Sequence, residues 1–184
     1  MHRYLLLIVV ALIAVILQYP QFHSISFWDL NLIQQGEWWR ILTGNFTHTN
    51  WPHLAMNMAA LGVMVYLFTP TAKNLSLLLI LLSFCVGLSL MLSDLGSYAG
   101  LSGVLHGIFA YYALTEALQG RRSSWLLVMG VMAKIGYEQL FGAASSTAEL
   151  INARVAIEAH FTGGVSGIFV AVALFMYKKR PSAS

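Results

Sequence analysis

Ser102 and His160 are the first residues whose types and spacing suggest chemistry. Ser102 lies between two glycines in the stretch GLSG, and His160 lies three residues before Gly163 in the stretch AHFTG. A serine hydroxyl is a weak nucleophile until a base takes its proton, and a neutral histidine in a desolvated pocket is a suitable base. A serine among small residues in a membrane helix is more often a packing residue, so the chemistry requires that the two helices meet.

Glycine spacing indicates that the helices carrying Ser102 and His160 do meet. Gly103 and Gly107 form one G-x-x-x-G pair after Ser102, and Gly163 and Gly167 form another after His160. Such pairs let helix backbones approach closely in a membrane. Packing would then bring the hydroxyl and the imidazole within hydrogen-bond reach.

The stretch THTNWPHLAMN holds a second polar group of residues. His48, His53 and Asn57 follow one another at spacings of five and four, so His53 and Asn57 share a helical face. An imidazole and an amide that project into a dry site are suitable donors for a developing oxyanion. Interhelical hydrogen bonding is the alternative role.

Lys134 and Glu138 are two charges, four residues apart, in an otherwise apolar stretch. Each charge alone is costly in a bilayer, so we expect them to pair with each other. The pair is either purely structural or has a functional role as well. No carboxylate is placed by the sequence to orient His160, since Glu158 is two residues away on another face. We therefore predict a Ser–His dyad without an acid, its ring held by packing, with His106 as the candidate partner.

Composition places these residues in a bilayer. Hydrophobic residues make up 58% of the 184 residues and charged residues 9%, far below the roughly 25% typical of soluble domains. No linker or low-complexity tract divides the chain, so we predict one membrane domain over residues 1–184. The single cysteine, Cys85, excludes an intramolecular disulfide.

Six apolar segments predict an all-α, six-transmembrane-helix bundle. The segments are residues 4–17, 53–68, 75–92, 102–118, 125–141 and 157–177. The first also resembles a signal peptide, but ILQYPQ lacks the small residues of a cleavage site, which favours an uncleaved helix. Residues 18–52 form the longest loop and hold four of the five tryptophans, so we expect this loop in the outer interface.

Lysines and arginines predict the orientation. With a cytoplasmic N-terminus, the inner side carries seven of them and the outer side only Arg40 and Arg154. The inner seven are Arg3, Lys73, Arg121, Arg122, Lys178, Lys179 and Arg180. By the positive-inside rule both termini are then cytoplasmic. The net charge of +3 therefore marks topology, and no nucleic-acid partner is expected.

The stretches EWWRILTGNFTH, HLAMN, GLSG and AHFTG together resemble the rhomboid intramembrane serine proteases over nearly the whole chain. The resemblance implies that Ser102 is the nucleophile and His160 its base. It further implies an oxyanion hole of His53, Asn57 and the backbone N–H of Ser102. The residues that it implies as supporting positions are His48, Arg40, Gly100, Gly103, Gly163 and His106. Because the fifth helix borders substrate entry in rhomboids, the resemblance also gives Lys134 and Glu138 their possible functional role, in which they face the fourth or second helix and engage the substrate.

One departure from the family pattern is His106, because rhomboids commonly have a tyrosine there that stacks on the catalytic histidine. The stretches GLSGVLHG and AKIGYEQLFG resemble the rhombosortase branch in particular. That resemblance implies partners that are secreted bacterial proteins with a C-terminal tail, made of a Gly-Gly motif, a transmembrane helix and a basic end.

The expected activity is therefore that of a serine endopeptidase in the bacterial inner membrane, with its site open to the periplasm. Resolution of the acyl-enzyme by water or by an amine stays open. No cofactor or metal is expected. A non-catalytic rhomboid-like chaperone and an intramembrane metal or proton transporter are the alternatives. The soluble hydrolase elbow G-x-S-x-G is excluded, because Val104 occupies its last position.

Overall fold

The computed structural model describes residues 1–179, and Arg180, which the orientation prediction uses, lies outside them. The longer helices are α1 (His2–Ile16), α5 (Trp51–Phe68), α6 (Ala72–Ser89), α7 (Ser102–Leu118), α8 (Ser124–Phe141) and α10 (Ile157–Lys178). The shorter helices are α2 (Pro20–Ser26), α3 (Leu30–Gln34), α4 (Arg40–Thr43) and α9 (Ser145–Ile151). A 3₁₀ turn, Leu90–Leu92, follows α6, and two short strands are β1 (Trp28–Asp29) and β2 (Ser97–Tyr98).

All six predicted helical segments are helices in the structure, with ends within three residues of the expected ones. Local sequence sets the start of α5, where the Asn50 side chain accepts a 2.8 Å hydrogen bond from the backbone N–H of His53 and Pro52 lies in the first turn. Asparagine at the cap and proline in the first turn both favour a helix start. The turn that positions His53 is therefore encoded locally.

The region of residues 18–52, predicted as a long interfacial loop, contains the short elements α2, β1, α3 and α4. Its tryptophans also divide into two kinds. Trp38, Trp39 and Trp51 are exposed, whereas Trp28 is fully buried and its indole N–H donates to the Gly87 carbonyl at 2.9 Å. The expectation of four interfacial tryptophans is therefore wrong for Trp28, which is a core residue.

The all-α prediction also omitted a two-stranded antiparallel ribbon. Trp28 pairs with Tyr98 and Asp29 with Ser97. The ribbon ties the region before α4 to the segment that leads into Ser102, so it fixes the start of α7.

Helices α7 and α10 pack through the predicted glycines. A Cβ atom on Gly103 would lie 2.8 Å from the Ala159 carbonyl oxygen, and one on Gly107 would lie 2.6 Å from that of Gly163. Cβ atoms on Gly163 and Gly167 would meet the carbonyl oxygens of Gly103 and Gly107. The backbones touch because side chains are absent, as the G-x-x-x-G spacing predicted.

Three described helices are long and apolar enough to cross a membrane: Trp51–Phe68, Ala72–Leu92 and Ile157–Lys178. A fourth candidate is formed by α1 and α2, which are bent by 99°. Large apolar side chains are exposed on these helices, including Leu12, Tyr66, Leu77, Phe169 and Met176. The fold is a helical membrane bundle.

Candidate active site

The Ser102 hydroxyl and the His160 imidazole form a hydrogen bond. Ser102 Oγ lies 2.8 Å from His160 Nε2, although the residues are 58 positions apart. Ser102 is the first residue of α7, and His160 lies in the first turn of α10. Close packing of the two helices through glycine brings their N-terminal ends together, and His160 is buried there.

A carboxylate lies on the other side of the His160 ring, contrary to the prediction of a dyad without an acid. Glu138 Oε2 is 2.8 Å from His160 Nδ1, and Glu138 is buried. The residue comes from α8, where Ile135 packs into the space that the missing Cβ of Gly164 leaves on α10. A small residue on α10 therefore lets α8 bring its carboxylate to the histidine.

The second oxygen of the same carboxylate binds Lys134. Lys134 Nζ donates to Glu138 Oε1 at 2.7 Å, which confirms the predicted pairing of the two charges. The Lys134 side chain is 51% exposed and lines the same cavity as Ser102. Glu138 thus accepts from a histidine and from a lysine at once.

His106 stacks on His160, as the packing prediction anticipated. The ring centroids are 4.1 Å apart and the planes meet at 19°. His106 Nδ1 donates to the Ser102 carbonyl oxygen at 2.7 Å, one helical turn earlier. The stack and this hydrogen bond hold the imidazole of His160 from its flat face.

His53 lies against the segment that precedes the serine. Gly100 has φ +143°, and a Cβ there would lie 2.6 Å from His53 Cε1. Both the backbone conformation and the contact therefore require glycine at position 100. His53 Nδ1 is 3.0 Å from the Thr49 hydroxyl, which itself donates to the Ile151 carbonyl at 2.7 Å.

Asn57 offers an unsatisfied donor to the site. Asn57 is buried, and within residues 1–179 its side-chain Nδ2 atom has no hydrogen-bond partner. Asn57, His53 and Ser102 all line one cavity. Because Ser102 is the first residue of α7, its backbone N–H belongs to the helix end that attracts negative charge. These groups are suited to hold an oxyanion.

Two further residues, Arg40 and Tyr98, hold the surrounding backbone, and a third, His48, packs against His53. The buried Arg40 guanidinium binds Glu37 and the carbonyls of Phe27 and Ser24 at 2.6, 2.8 and 3.1 Å. His48 is fully buried, with its ring edge-to-face against His53 at 5.1 Å. The Tyr98 phenol donates to the Gly100 carbonyl, and burial raises its pKa well above the usual range, so it stays a neutral donor.

The candidate site opens into a cavity of about 1060 Å³. Polar residues of α5, α7, α8 and α10 line it together with apolar residues such as Met64, Phe109 and Val131. Asp94, Gly96 and Arg154 line it from loops outside these helices. A space of this size exceeds what most small ligands need and is sufficient for several residues of an extended peptide.

A rhomboid domain model matches residues 35–177, most of the chain. The chain belongs to the rhomboid family. Rhomboids are generally intramembrane serine proteases that act on membrane proteins. No curated protein sequence matches the chain.

In this rhomboid, His106, Glu138 and His160 each place a potential ligand atom within 4.8 Å of the others. His and carboxylate groups are suitable ligands for Zn²⁺. His160 Nδ1 and Nε2 are already bonded to Glu138 and Ser102, and the Glu138 oxygens to His160 and Lys134. A metal bound by His160 and Glu138 would therefore displace hydrogen bonds of the site.

The sequence did not predict two hydrogen-bond partners in the rhomboid site, which are Glu138 for His160 and Thr49 for His53. Glu138 was assigned only to Lys134, although a buried carboxylate with two oxygens can accept from two donors. Thr49 gave no signal beyond its position four residues before His53. The predicted residues of the site nevertheless line one cavity, namely Ser102, His160, His53, Asn57, His106, Lys134 and Glu138.

Proposed function

We propose that this rhomboid is an intramembrane serine endopeptidase in which Ser102 is the nucleophile and His160 the general base. The observation that carries the proposal is the 2.8 Å contact between Ser102 Oγ and His160 Nε2 at the wall of the cavity. A carboxylate can only accept, so Nδ1 of His160 carries the proton that it donates to Glu138. Nε2 of the neutral ring then has the free lone pair that accepts the serine proton.

The reaction follows from this arrangement. Ser102 Oγ attacks a substrate carbonyl carbon while its proton moves to His160 Nε2, and the imidazolium then protonates the leaving amine. The carbonyl oxygen becomes an oxyanion, for which Asn57, His53 and the Ser102 backbone N–H are the proposed donors. Water or an amine then attacks the acyl carbon while His160 takes its proton, and the imidazolium returns a proton to Ser102 Oγ as the ester bond breaks and the product leaves.

In the membrane, we place six spans with both termini in the cytoplasm. The two further spans are α7, which is largely buried among other helices, and α8, whose two charges are paired with each other. A helix that is covered by other helices, or whose charged side chains are paired, can cross the membrane without an entirely apolar surface. The proposed location is the bacterial inner membrane, with the cavity open to the periplasm.

For the substrates, we propose C-terminal transmembrane tails with a Gly-Gly motif on secreted or surface proteins. The cavity supports this, because polar groups of the proposed site and apolar side chains of α5 and α8 line one space. Residues of both helices would contact a tail that enters with its helix opened. The resemblance to rhombosortases supports the same class.

Mass spectrometry of a tail-bearing protein's new C-terminus tests the proposal. Cells with the wild-type protein should give a product that ends near the glycines, and cells with Ser102→Ala or His160→Ala should keep the intact tail. Because the two residues act as a unit, the double variant should be no slower than either single one. A product that forms equally with Ser102→Ala would refute the proposal.

The cluster of His106, Glu138 and His160 gives the metal-transport alternative its one specific observation. Metal content and chelator sensitivity separate the two functions. A protease of the proposed kind retains cleavage after EDTA treatment, whereas a metal site essential for function would not. The chaperone alternative predicts no labelling of Ser102 by a fluorophosphonate probe.

A further inference from the structure

We propose that Glu138 is a positioning residue for His160, so that this rhomboid works with a Ser–His–Glu triad. The inference rests on the proposed function and adds a residue to it. Its starting point is a chain of three hydrogen bonds: Ser102 Oγ donates to His160 Nε2 at 2.8 Å, His160 Nδ1 donates to Glu138 at 2.8 Å, and Lys134 Nζ donates to Glu138 at 2.7 Å.

The first step concerns the tautomer of the histidine. A neutral imidazole carries one proton, on Nδ1 or on Nε2, and only the Nδ1 form can accept the serine proton at Nε2. The Glu138 carboxylate selects that form, because its oxygen accepts from Nδ1–H and offers no proton in return. The carboxylate also lies beside the imidazolium that forms during acylation and stabilises its charge.

The second step concerns orientation. His106 fixes His160 from one flat face, but a stack alone does not distinguish the ring from its flipped form, in which a half-turn about Cβ–Cγ exchanges Nδ1 with Cδ2 and Nε2 with Cε1. The hydrogen bond at Nδ1 selects the form in which Nε2 faces Ser102. Stack and carboxylate therefore restrain different motions of the same ring.

The third step concerns the carboxylate itself. Glu138 is buried, and a buried carboxylate needs partners for both oxygens. His160 and Lys134 satisfy one oxygen each, which fixes the rotation of the carboxylate about its terminal bond. Lys134 thereby holds Glu138 in position, and its own contact with the histidine is indirect.

The test is the steady-state kinetics of Glu138→Gln on a purified tail substrate in lipid vesicles. Glutamine has nearly the same shape, but its NH₂ group can donate to Nδ1 and so favours the tautomer that cannot accept from serine. We expect kcat to fall on the order of 10²- to 10⁴-fold with little change in KM. Glu138→Asp, which keeps an acceptor with a shorter reach, should recover part of kcat.

Glu158→Gln is the matched control. Glu158 precedes His160 by two residues on the same helix, and its carboxylate pairs with Arg154 instead of with the histidine. This variant should keep kcat within about twofold of the wild type. Lys134→Met removes only the second partner of Glu138 and should lower kcat less than Glu138→Gln does.

Two measurements distinguish a loss of catalytic rate from a loss of folded protein. Thermal denaturation reports the folded fraction of each variant, and rates are compared per folded protein. Because Glu138 lines the cavity, formate should reach the space left in Glu138→Ala and restore part of kcat. Recovery by formate and by aspartate supports a positioning role, and a structural role predicts neither.

The outcomes separate this inference from the proposed function. If Ser102→Ala abolishes cleavage but Glu138→Gln keeps wild-type kcat, the triad is refuted and the protease stands. A fall that appears only in KM or in the folded fraction, with no response to formate, also refutes the triad. If Ser102→Ala leaves cleavage intact, the proposed function itself is wrong.

Discussion

The hydroxyl of Thr49 lies 3.0 Å from Nδ1 of His53 while it also donates to the Ile151 carbonyl at 2.7 Å. A hydroxyl has one proton, so Thr49 can donate to only one of these acceptors at a time. When the proton points to Ile151, the Thr49 oxygen accepts from Nδ1–H, and Nε2 of neutral His53 has no proton. An oxyanion donor needs a proton on Nε2. The contact between α9 and Thr49 is therefore coupled to the tautomer of His53.

We expect Thr49→Val to lower kcat about fivefold, because a Thr49 hydroxyl that donates to Nδ1 favours the His53 tautomer with its proton on Nε2, and one net hydrogen bond is worth about 1 kcal/mol. Thr49→Ser keeps the hydroxyl and should retain most of the wild-type rate. Steady-state cleavage of a tail substrate measures both. Equal rates for the valine and serine variants would contradict the coupling.

His106 provides the second prediction. His106→Tyr and His106→Phe retain a flat ring against His160 and should keep cleavage within about tenfold. His106→Ala removes the ring and should lower kcat on the order of 10²-fold, because His160 then loses the restraint on its flat face. If His106→Phe is as slow as His106→Ala, the imidazole itself takes part, since Phe preserves only the stack.

How far the sequence predicts this molecule depends on the kind of interaction. The Gly103 and Gly163 spacings predicted the α7–α10 contact, because small residues at a fixed helical period leave a pattern in one segment. The Glu138 contact with His160 depends on Ile135 fitting over Gly164, which joins two distant segments through shape. Burial of Trp28 likewise depends on a hydrogen bond to Gly87 that no local pattern encodes. The sequence therefore predicted the helices and the pairing of Ser102 with His160, but not their third partner.

The third prediction concerns the glycine contact. Gly163→Ala would place its Cβ against the Gly103 carbonyl, and relieving the overlap must separate α7 from α10. Overpacking of this kind typically costs about 1–3 kcal/mol, and here it also moves Ser102 away from His160. We expect a lower unfolding temperature together with strongly reduced cleavage.

Gly136→Ala is the matched control for that substitution. Gly136 is also a helical glycine, but nothing lies within 4 Å of a Cβ there. Alanine favours a helix by about 1 kcal/mol over glycine, so stability should stay the same or rise. Equal effects of the two substitutions would contradict the packing argument.

The fourth prediction is a pH dependence of stability that arises from His48. Burial, with a smaller contribution from His53, lowers the pKa of His48 to about 3 in the folded protein, against an ordinary value of 6.5. Between about pH 6.5 and pH 3, His48 is therefore protonated in the unfolded chain but neutral in the folded protein. The contribution of neutral His48 is full above pH 6.5 and is lost as the pH falls toward 3, by at most about 1.4 kcal/mol per pH unit.

Thermal denaturation in detergent between pH 7.5 and pH 5 measures this loss. His48→Phe keeps a flat ring beside His53 without a titratable group, so its stability should fall less over the same interval. The difference between the two slopes isolates His48 from the other histidines. Parallel slopes would show that His48 does not titrate in this way.

The last prediction is the rule by which a tail is selected. A transmembrane helix holds its carbonyl groups in its own hydrogen bonds, so the proposed nucleophile, Ser102, could attack only where the helix opens. Glycine is about 1 kcal/mol less favourable than alanine in a helix, so two adjacent glycines ease opening by roughly 2 kcal/mol. They also remove side chains that would obstruct approach to the cavity between α5 and α8. Replacing both tail glycines with leucine should therefore lower kcat much more than it weakens binding, as measured by cleavage rates and by capture of the tail on Ser102→Ala. A leucine tail that is cut as fast as the glycine tail would show that opening of the helix does not select the substrate.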